Sequence, residues 1–212
     1  MKIYHFLKDC WAKEAIKNRR LKVSQFDQLN DPFELSCFNL RNRELRAAHK
    51  DYRDGLTKKY GMVSFSADYR NPLMWGHYAD RHRGVCLGFE APEDTLIQVK
   101  YQNDRLKIED KTFATEKDAE DLLSIKYSDW CYEKEWRLMS KLEQAQKEGD
   151  LYFEPFSKSL QLCEINLGFQ CPSSVDEYGA LVKSLGIDLV HTNKLSLAVT
   201  LFGVTKTVHV DG

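Results

Sequence analysis

The sequence predicts an α+β domain, and three observations lead there. Short segments of strand character recur along all 212 residues, helical segments interrupt them without a regular β-α-β alternation, and no stretch rich in Pro, Gly or Ser divides the chain. A chain of this length suits one domain, 1–212.

The elements follow in order. Residues 3–6 read as a short strand. Asp9 is placed to cap a helix running to about residue 20, with Trp11, Ala15 and Ile16 on one face. Residues 21–23 form a second strand, and Asn30-Asp31-Pro32 marks a turn. A polar helix is expected over 41–59, with Leu45, Ala48, Tyr52 and Leu56 as its apolar positions and Gly61 as its stop. Residues 62–66 read as strand. Asn71-Pro72 is the clearest helix start, an N-cap followed by Pro at the first helical position, and Gly84 fits that helix's C-terminal glycine. Strands are expected at 85–89 and 96–101, and a helix opened by Thr115 at 115–123. Further strands are expected at 130–139, 151–156, 160–167, 187–191 and 205–210, with a helix at 175–185.

Composition excludes several classes. A hydrophobic content of 42% and an aromatic content of 12% suffice for a core, so disorder is excluded. Lys plus Arg is 31 and Asp plus Glu is 32, a net charge of −1, which supplies no global attraction to nucleic acid or anionic membrane. No signal-peptide run opens the chain, and no segment approaches about 18 apolar residues. A cytoplasmic protein with no membrane partner is therefore expected. The six cysteines form no CxxC pair and are read as reduced thiols; zinc-ligand spacing is missing, and no metal is expected.

Five segments carry possible chemistry. In a strand over 130–139, period-two alternation puts Trp130, Tyr132, Trp136 and Leu138 on one face and Cys131, Glu133, Glu135, Arg137 and Met139 on the other. Two carboxylates and a guanidinium then project together, and such a Glu-x-Glu pair supplies a base and a stabiliser for a developing sugar cation. The plainer alternative is a solvated sheet face of salt-bridged charges. Ser64 and Ser66 share one strand face, where hydroxyls bind ribose or phosphate oxygens or form polar surface. His5 either donates to a ligand hydroxyl or is a satisfied edge residue. The helix opening at Asn71 offers free N–H groups to an anion; Met74 and Trp75 are most simply core, while His77 or Tyr78 faces a pocket. The turn at Asn30 and Asp31 either lines the site or is an Asx-turn with Phe33 as a buried anchor.

An ordered set of motifs spans nearly the whole chain: Leu29-Asn30-Asp31-Pro32-Phe33-Glu34, Val63-Ser64-Phe65-Ser66, the run from Asn71 to Asp80, the run from Gly84 to Phe89, and Lys126 with the run from Trp130 to Leu138. The set resembles the bacterial and phage-borne domain-of-unknown-function family 2971. More loosely, the order His5, Ser64-x-Ser66, Glu133-x-Glu135 is similar to the three-part signature of ADP-ribosyltransferases, and the opening through Arg20-Leu21-Lys22-Val23-Ser24 looks like their DNA-modifying toxin branch. That likeness implies a split, mainly antiparallel sheet with peripheral helices, and NAD as substrate. It implies that His5 and Ser64 hold the nicotinamide-side ribose. Glu135 would hold the ribose 2′-hydroxyl and stabilise an oxocarbenium-like transition state, and Glu133 would orient or deprotonate the acceptor. Tyr78 or Trp75 would stack on nicotinamide.

The expectation is an NAD-consuming enzyme acting on a protein or nucleic acid in bacterial stress or phage conflict. Catalysis falls to Glu135 and Glu133, and binding to His5, Ser64, Ser66, Trp75, His77, Tyr78, Arg137, Asn30 and Asp31. Two alternatives stand beside it: a non-catalytic binding or regulatory module of a defence or toxin system, and a metal-dependent nuclease using Asp31, Glu34, Glu133 and Glu135. The oligomeric state is not encoded in any recognisable stripe.

Overall fold

The computed structural model describes residues 1–107, 116–187 and 189–207. In chain order the elements are β1 (Lys2–Leu7), α1 (Asp9–Asn18), β2 (Arg20–Val23), α2 (Arg43–Lys59), β3 (Tyr60–Ser66), α3 (Pro72–Tyr78), β4 (Val85–Glu90), β5 (Ile97–Gln98) and β6 (Lys100–Gln102). They continue with α4 (Glu116–Ser124), β7 (Ile125–Tyr127), β8 (Glu135–Lys141), β9 (Gln146–Glu148), β10 (Leu151–Pro155), β11 (Gln161–Leu167), α5 (Val175–Ser184), β12 (His191–Leu197) and β13 (Val204–Lys206).

Eight strands form the central sheet in the order β13-β12-β11-β4-β1-β3-β8-β5. Every neighbouring pair is antiparallel except β11 and β12. A small sheet β2-β10-β9 and a parallel pair β6-β7 flank it. The chain is thus one compact α+β domain with a mainly antiparallel sheet and few helices, as the sequence suggests.

Apolar residues on the two sheet faces explain the layers. Ile3, Val63, Phe65, Leu87 and Phe89 face α1 and α5, which contribute Ala12, Ile16, Tyr178 and Val182. On the other face Tyr4, Phe6 and Cys86 meet Met74 and Trp75 of α3. A third cluster, with Leu35, Phe38, Met62 and Leu122, is covered by the apolar stripe of α2. That stripe contains the expected Leu45, Ala48, Tyr52 and Leu56.

Several boundaries differ from expectation for local reasons. In α1 the buried positions are Ala12 and Ile16, whereas Trp11 lies beside that stripe and is 60% exposed. Asp9 does not cap α1; its carboxylate accepts from Ser173 and Tyr178. Asn42 caps α2 by accepting from the Leu45 N–H, and α2 ends before Gly61, which lies inside β3 where a Cβ would stand 2.5 Å from Val23. Asn71 caps α3 as expected. That helix stops at Tyr78, because Asp80, Arg81 and His82 take left-handed backbone angles. Gly84 therefore does not close the helix; it lets β4 pass β1, where a Cβ would meet the Leu7 carbonyl oxygen at 2.2 Å.

The 96–101 segment breaks at Val99 into β5 and β6. Ile187, Leu189 and Val190 are not strand: Leu189 has φ 61°, and β12 starts only at His191. Thr115 and residues 208–210 lie outside the described residues. No described helix is long and apolar enough to cross a membrane.

Candidate functional site

The sheet forks between β1 and β3. β1 pairs with β4 through six residues, from Lys2 with Glu90 to Leu7 with Val85. It pairs with β3 only at Tyr4 and Ser66. Beyond that point the Ser64 carbonyl accepts from the His5 ring nitrogen Nδ1 at 2.8 Å, so a side chain replaces a ladder bond. A cavity of about 260 Å³ lies at the fork, lined by Tyr4, His5, Ser64, Tyr78, Glu133 and Glu135 among others.

Because Nδ1 must carry the proton to reach a carbonyl, and burial holds the imidazole below its ordinary pKa, His5 is neutral with Nε2 as an acceptor. It therefore accepts from a ligand hydroxyl; the expected donation is corrected on this point.

The floor is a buried ionic cluster. Arg137 of β8 has a fully buried side chain. It donates from Nε to Glu135 Oε1 at 3.0 Å and from Nη2 to Oε2 at 3.1 Å, and its Nη1 lies 2.8 Å from Glu34. Lys126 of β7 donates to Glu133 at 2.6 Å and to Glu135 at 3.1 Å, with Glu34 at 4.0 Å. Ser64 of β3 adds to the groups that lower the Glu135 carboxyl. Burial alone would raise the Glu135 carboxyl, but Arg137 and Lys126 outweigh it and hold the group at about 2. Glu34 differs: burial dominates over the same cations and raises it. Lys126 is disfavoured by burial yet raised overall by Glu135, Glu133 and Glu34, so it stays an ammonium. Three carboxylates thus meet two cations, leaving one negative charge when all are ionised.

Glu133 and Glu135 converge, but not through strand alternation. Residues from Ser128 to Glu133 form a 3₁₀ turn, Lys134 is left-handed at φ 47°, and β8 begins only at Glu135. The expected strand over 130–139 is therefore corrected over its first half: Cys131 is exposed, and Trp130 does not share a strand face with Trp136. The Ser66 hydroxyl fastens the turn, donating to the Glu133 carbonyl at 2.6 Å and accepting from the Asp68 N–H. The face is buried rather than a solvated sheet surface.

The remaining candidates separate. Tyr78 donates to Glu133 and accepts from Asn30 at 2.8 Å, so both belong to the cavity wall. Burial first, then the Glu133 carboxylate, push the Tyr78 phenol up, so it remains a donor. Trp75 does not line the cavity: it is fully buried against Phe6, with its indole N–H donating to the Tyr69 carbonyl at 2.6 Å. His77 is exposed beside Tyr132 and also lies outside the lining. Asp31 closes an Asx-turn by accepting from Phe33 N–H at 2.9 Å and faces a different cavity. Phe33 is not a buried anchor; it is 57% exposed.

Sequence reasoning left Lys126 without a role, although it is the hub of the cluster. Its only signal was its place in the motif set, since a buried lysine is not marked by periodicity. Glu34 was placed only in the nuclease reading. Among the described residues no group of three or more His, Cys, Asp or Glu side chains is arranged to hold a metal ion. The carboxylates of Glu34, Glu133 and Glu135 instead turn to Lys126 and Arg137, which corrects the nuclease arrangement. No protein-family model, curated protein or solved structure matches this chain.

Proposed function

We propose that the chain is an ADP-ribosyltransferase-like enzyme that consumes NAD, acting on a protein or nucleic acid in the bacterial cytoplasm during stress or phage conflict. One observation carries this reading: His5, Ser64 and Glu135 reach one cavity from the neighbouring strands β1, β3 and β8, above a cluster that holds one negative charge when its three carboxylates are ionised. That charge suits the positive nicotinamide ring and the oxocarbenium that forms as its glycosidic bond breaks. His5 Nε2 accepts from a ribose hydroxyl, and Glu135, kept ionised, holds the 2′-hydroxyl and stabilises the developing cation. Glu133 takes the acceptor's proton, with Tyr78 fixing its carboxylate. A cavity of about 260 Å³ takes the nicotinamide-ribose half, with the rest of the dinucleotide at the mouth by Lys22.

The test is nicotinamide release from NAD by the wild type, Glu135→Gln and Glu133→Gln, with thermal unfolding of each protein alongside. Turnover by the wild type and loss of at least about a hundredfold in a folded Glu135→Gln protein is expected, the size seen when one transition-state stabiliser is removed. Wild-type protein that neither binds NAD nor releases nicotinamide refutes the reading.

A second reading rests on a specific contact: both Glu135 oxygens accept from Arg137, and one also from Lys126. A carboxylate so occupied suits a non-catalytic binding module of a defence or toxin system. NAD binding without turnover in the presence of bacterial lysate would favour it.

A further inference from the structure

Beyond the fork, a second cavity of about 220 Å³ lies on the far side of Lys126, which lines both. We infer that this second cavity is a binding site for a nucleobase. Its lining carries two aromatic rings, the cations Arg105 and Lys126, and one carboxylate, Asp104. Phe33 and Tyr127 are 57% and 45% exposed, large for side chains of this kind, and both line it. The Arg105 guanidinium sits over the Phe33 ring, 5.3 Å from its centroid. Gln102 also lines it, and its amide nitrogen Nε2 is buried without a hydrogen-bond partner.

Each feature narrows the ligand. A buried amide donor without an acceptor costs about 1–3 kcal/mol, so the occupant is expected to bring an acceptor. An aliphatic ligand supplies none. A bare anion would use Arg105 but would leave both aromatic faces uncovered. A flat nitrogen heterocycle satisfies all three: a ring nitrogen or carbonyl accepts from Gln102, its face stacks on Phe33, and an attached phosphate meets Arg105. A cavity of about 220 Å³ fits one base with its sugar. Pyrophosphate is not expected to thread from one cavity to the other, because the carboxylates of Glu34, Glu133 and Glu135 surround Lys126, the residue that lines both. The second cavity is therefore a separate seat and not the other half of an NAD site, and the inference stands whether or not the first cavity turns NAD over.

The base could come from a free nucleotide or from single-stranded nucleic acid, and the experiment separates them. The four 5′-mononucleotides and a mixed-sequence single-stranded pentanucleotide are titrated calorimetrically into wild type, Phe33→Ala, Gln102→Leu and, as a control at the first cavity, Tyr78→Phe. Saturable binding of at least one probe is expected, weakened about tenfold or more by Phe33→Ala and by Gln102→Leu, and unchanged by Tyr78→Phe. Tighter binding of the pentanucleotide than of any mononucleotide marks a polymer as the source, and the reverse marks a free nucleotide. Phe33 is exposed, so its substitution spares the fold, and its circular dichroism is recorded to check this. No saturable binding of any probe, or binding that survives Phe33→Ala, overturns the assignment.

Discussion

Replacing Lys126 by Met removes the hub of the ionic cluster while keeping an unbranched side chain one atom shorter. In the wild type its ammonium lies 2.6 Å from Glu133, 3.1 Å from Glu135 and 4.0 Å from Glu34, all nearly sealed from water. Without it, Glu34 and Glu135 share Arg137, and Glu133 keeps only the Tyr78 hydroxyl. Removing one partner of a buried ion pair costs about 3–5 kcal/mol, because the partner stays desolvated and unpaired. For a chain of 212 residues that corresponds to a fall in Tm of about 10 °C. The deficit is also pH-dependent. Burial already raises Glu34, and the loss of Lys126, which opposes that rise in the wild type, raises it further. A carboxyl raised in the folded state adds stability that is complete below its unfolded pKa and is lost as pH rises through the folded pKa. The variant therefore falls further behind the wild type at pH 8 than at pH 5. Urea unfolding at both pH values measures this. A variant as stable as the wild type at pH 8, or a deficit equal at the two pH values, would refute Lys126 as the counter-ion of this cluster.

Two further expectations concern the framework. Gly84→Ala places a Cβ against the Leu7 carbonyl oxygen and the Ala79 backbone, which cannot swing aside, and should cost about 3 kcal/mol or more in chemical unfolding. Gly55→Ala, in α2 with nothing within 4 Å, should instead stabilise by about 0.5–1 kcal/mol; the same sign for both variants would contradict the packing described. Acid behaviour follows from Glu135 and Asp68, each held at about 2, the first against burial by Arg137 and Lys126, the second against burial by Arg70 and Lys134. Depressed carboxyls contribute stability above their unfolded pKa and lose it as pH falls toward the folded value. Stability should therefore drop between about pH 4.5 and 2, and a flat profile over that window in pH-titrated unfolding would sink the pairing.

The sequence disclosed the periodic elements and hid the irregular ones. The stripe of α2 and the Asn71-Pro72 start of α3 were legible because spacing and capping are local physics. The end of α3 was not, since three consecutive non-glycine residues in the left-handed region leave no compositional mark. β12 was missed because its pairing to β11 begins at His191, beyond the left-handed Leu189, and its own apolar alternation is weak. The site shows the same division. Glu133 and Glu135 were found together because two carboxylates two apart attract attention, but the strand drawn through them was wrong before Glu135. The turn at Lys134 achieves the convergence by another route. Lys126 and Glu34 come from distant segments, and only the tertiary fold brings them to Arg137 and Glu135.

Where the cluster stands is itself informative. Burying ion pairs is an expensive way to hold a sheet together, and apolar residues of similar volume commonly do it as well or better. The surroundings show that apolar packing was accessible: Phe65 of β3 and Trp136 of β8 belong to the apolar core cluster. A second buried carboxylate, Glu164, sets the contrast. It accepts from Lys2 and pairs with Lys206, yet both lysines keep about 40% of their side chains in solvent, so the desolvation is shared with water. At the fork no such relief exists, since Lys126 and Arg137 are as buried as their partners. The fork also gives up part of the β1–β3 ladder, with the single His5–Ser64 bond in its place. Two separate expenses at one place, on the wall of a cavity, are better explained by preorganised charge facing a ligand than by the needs of the fold.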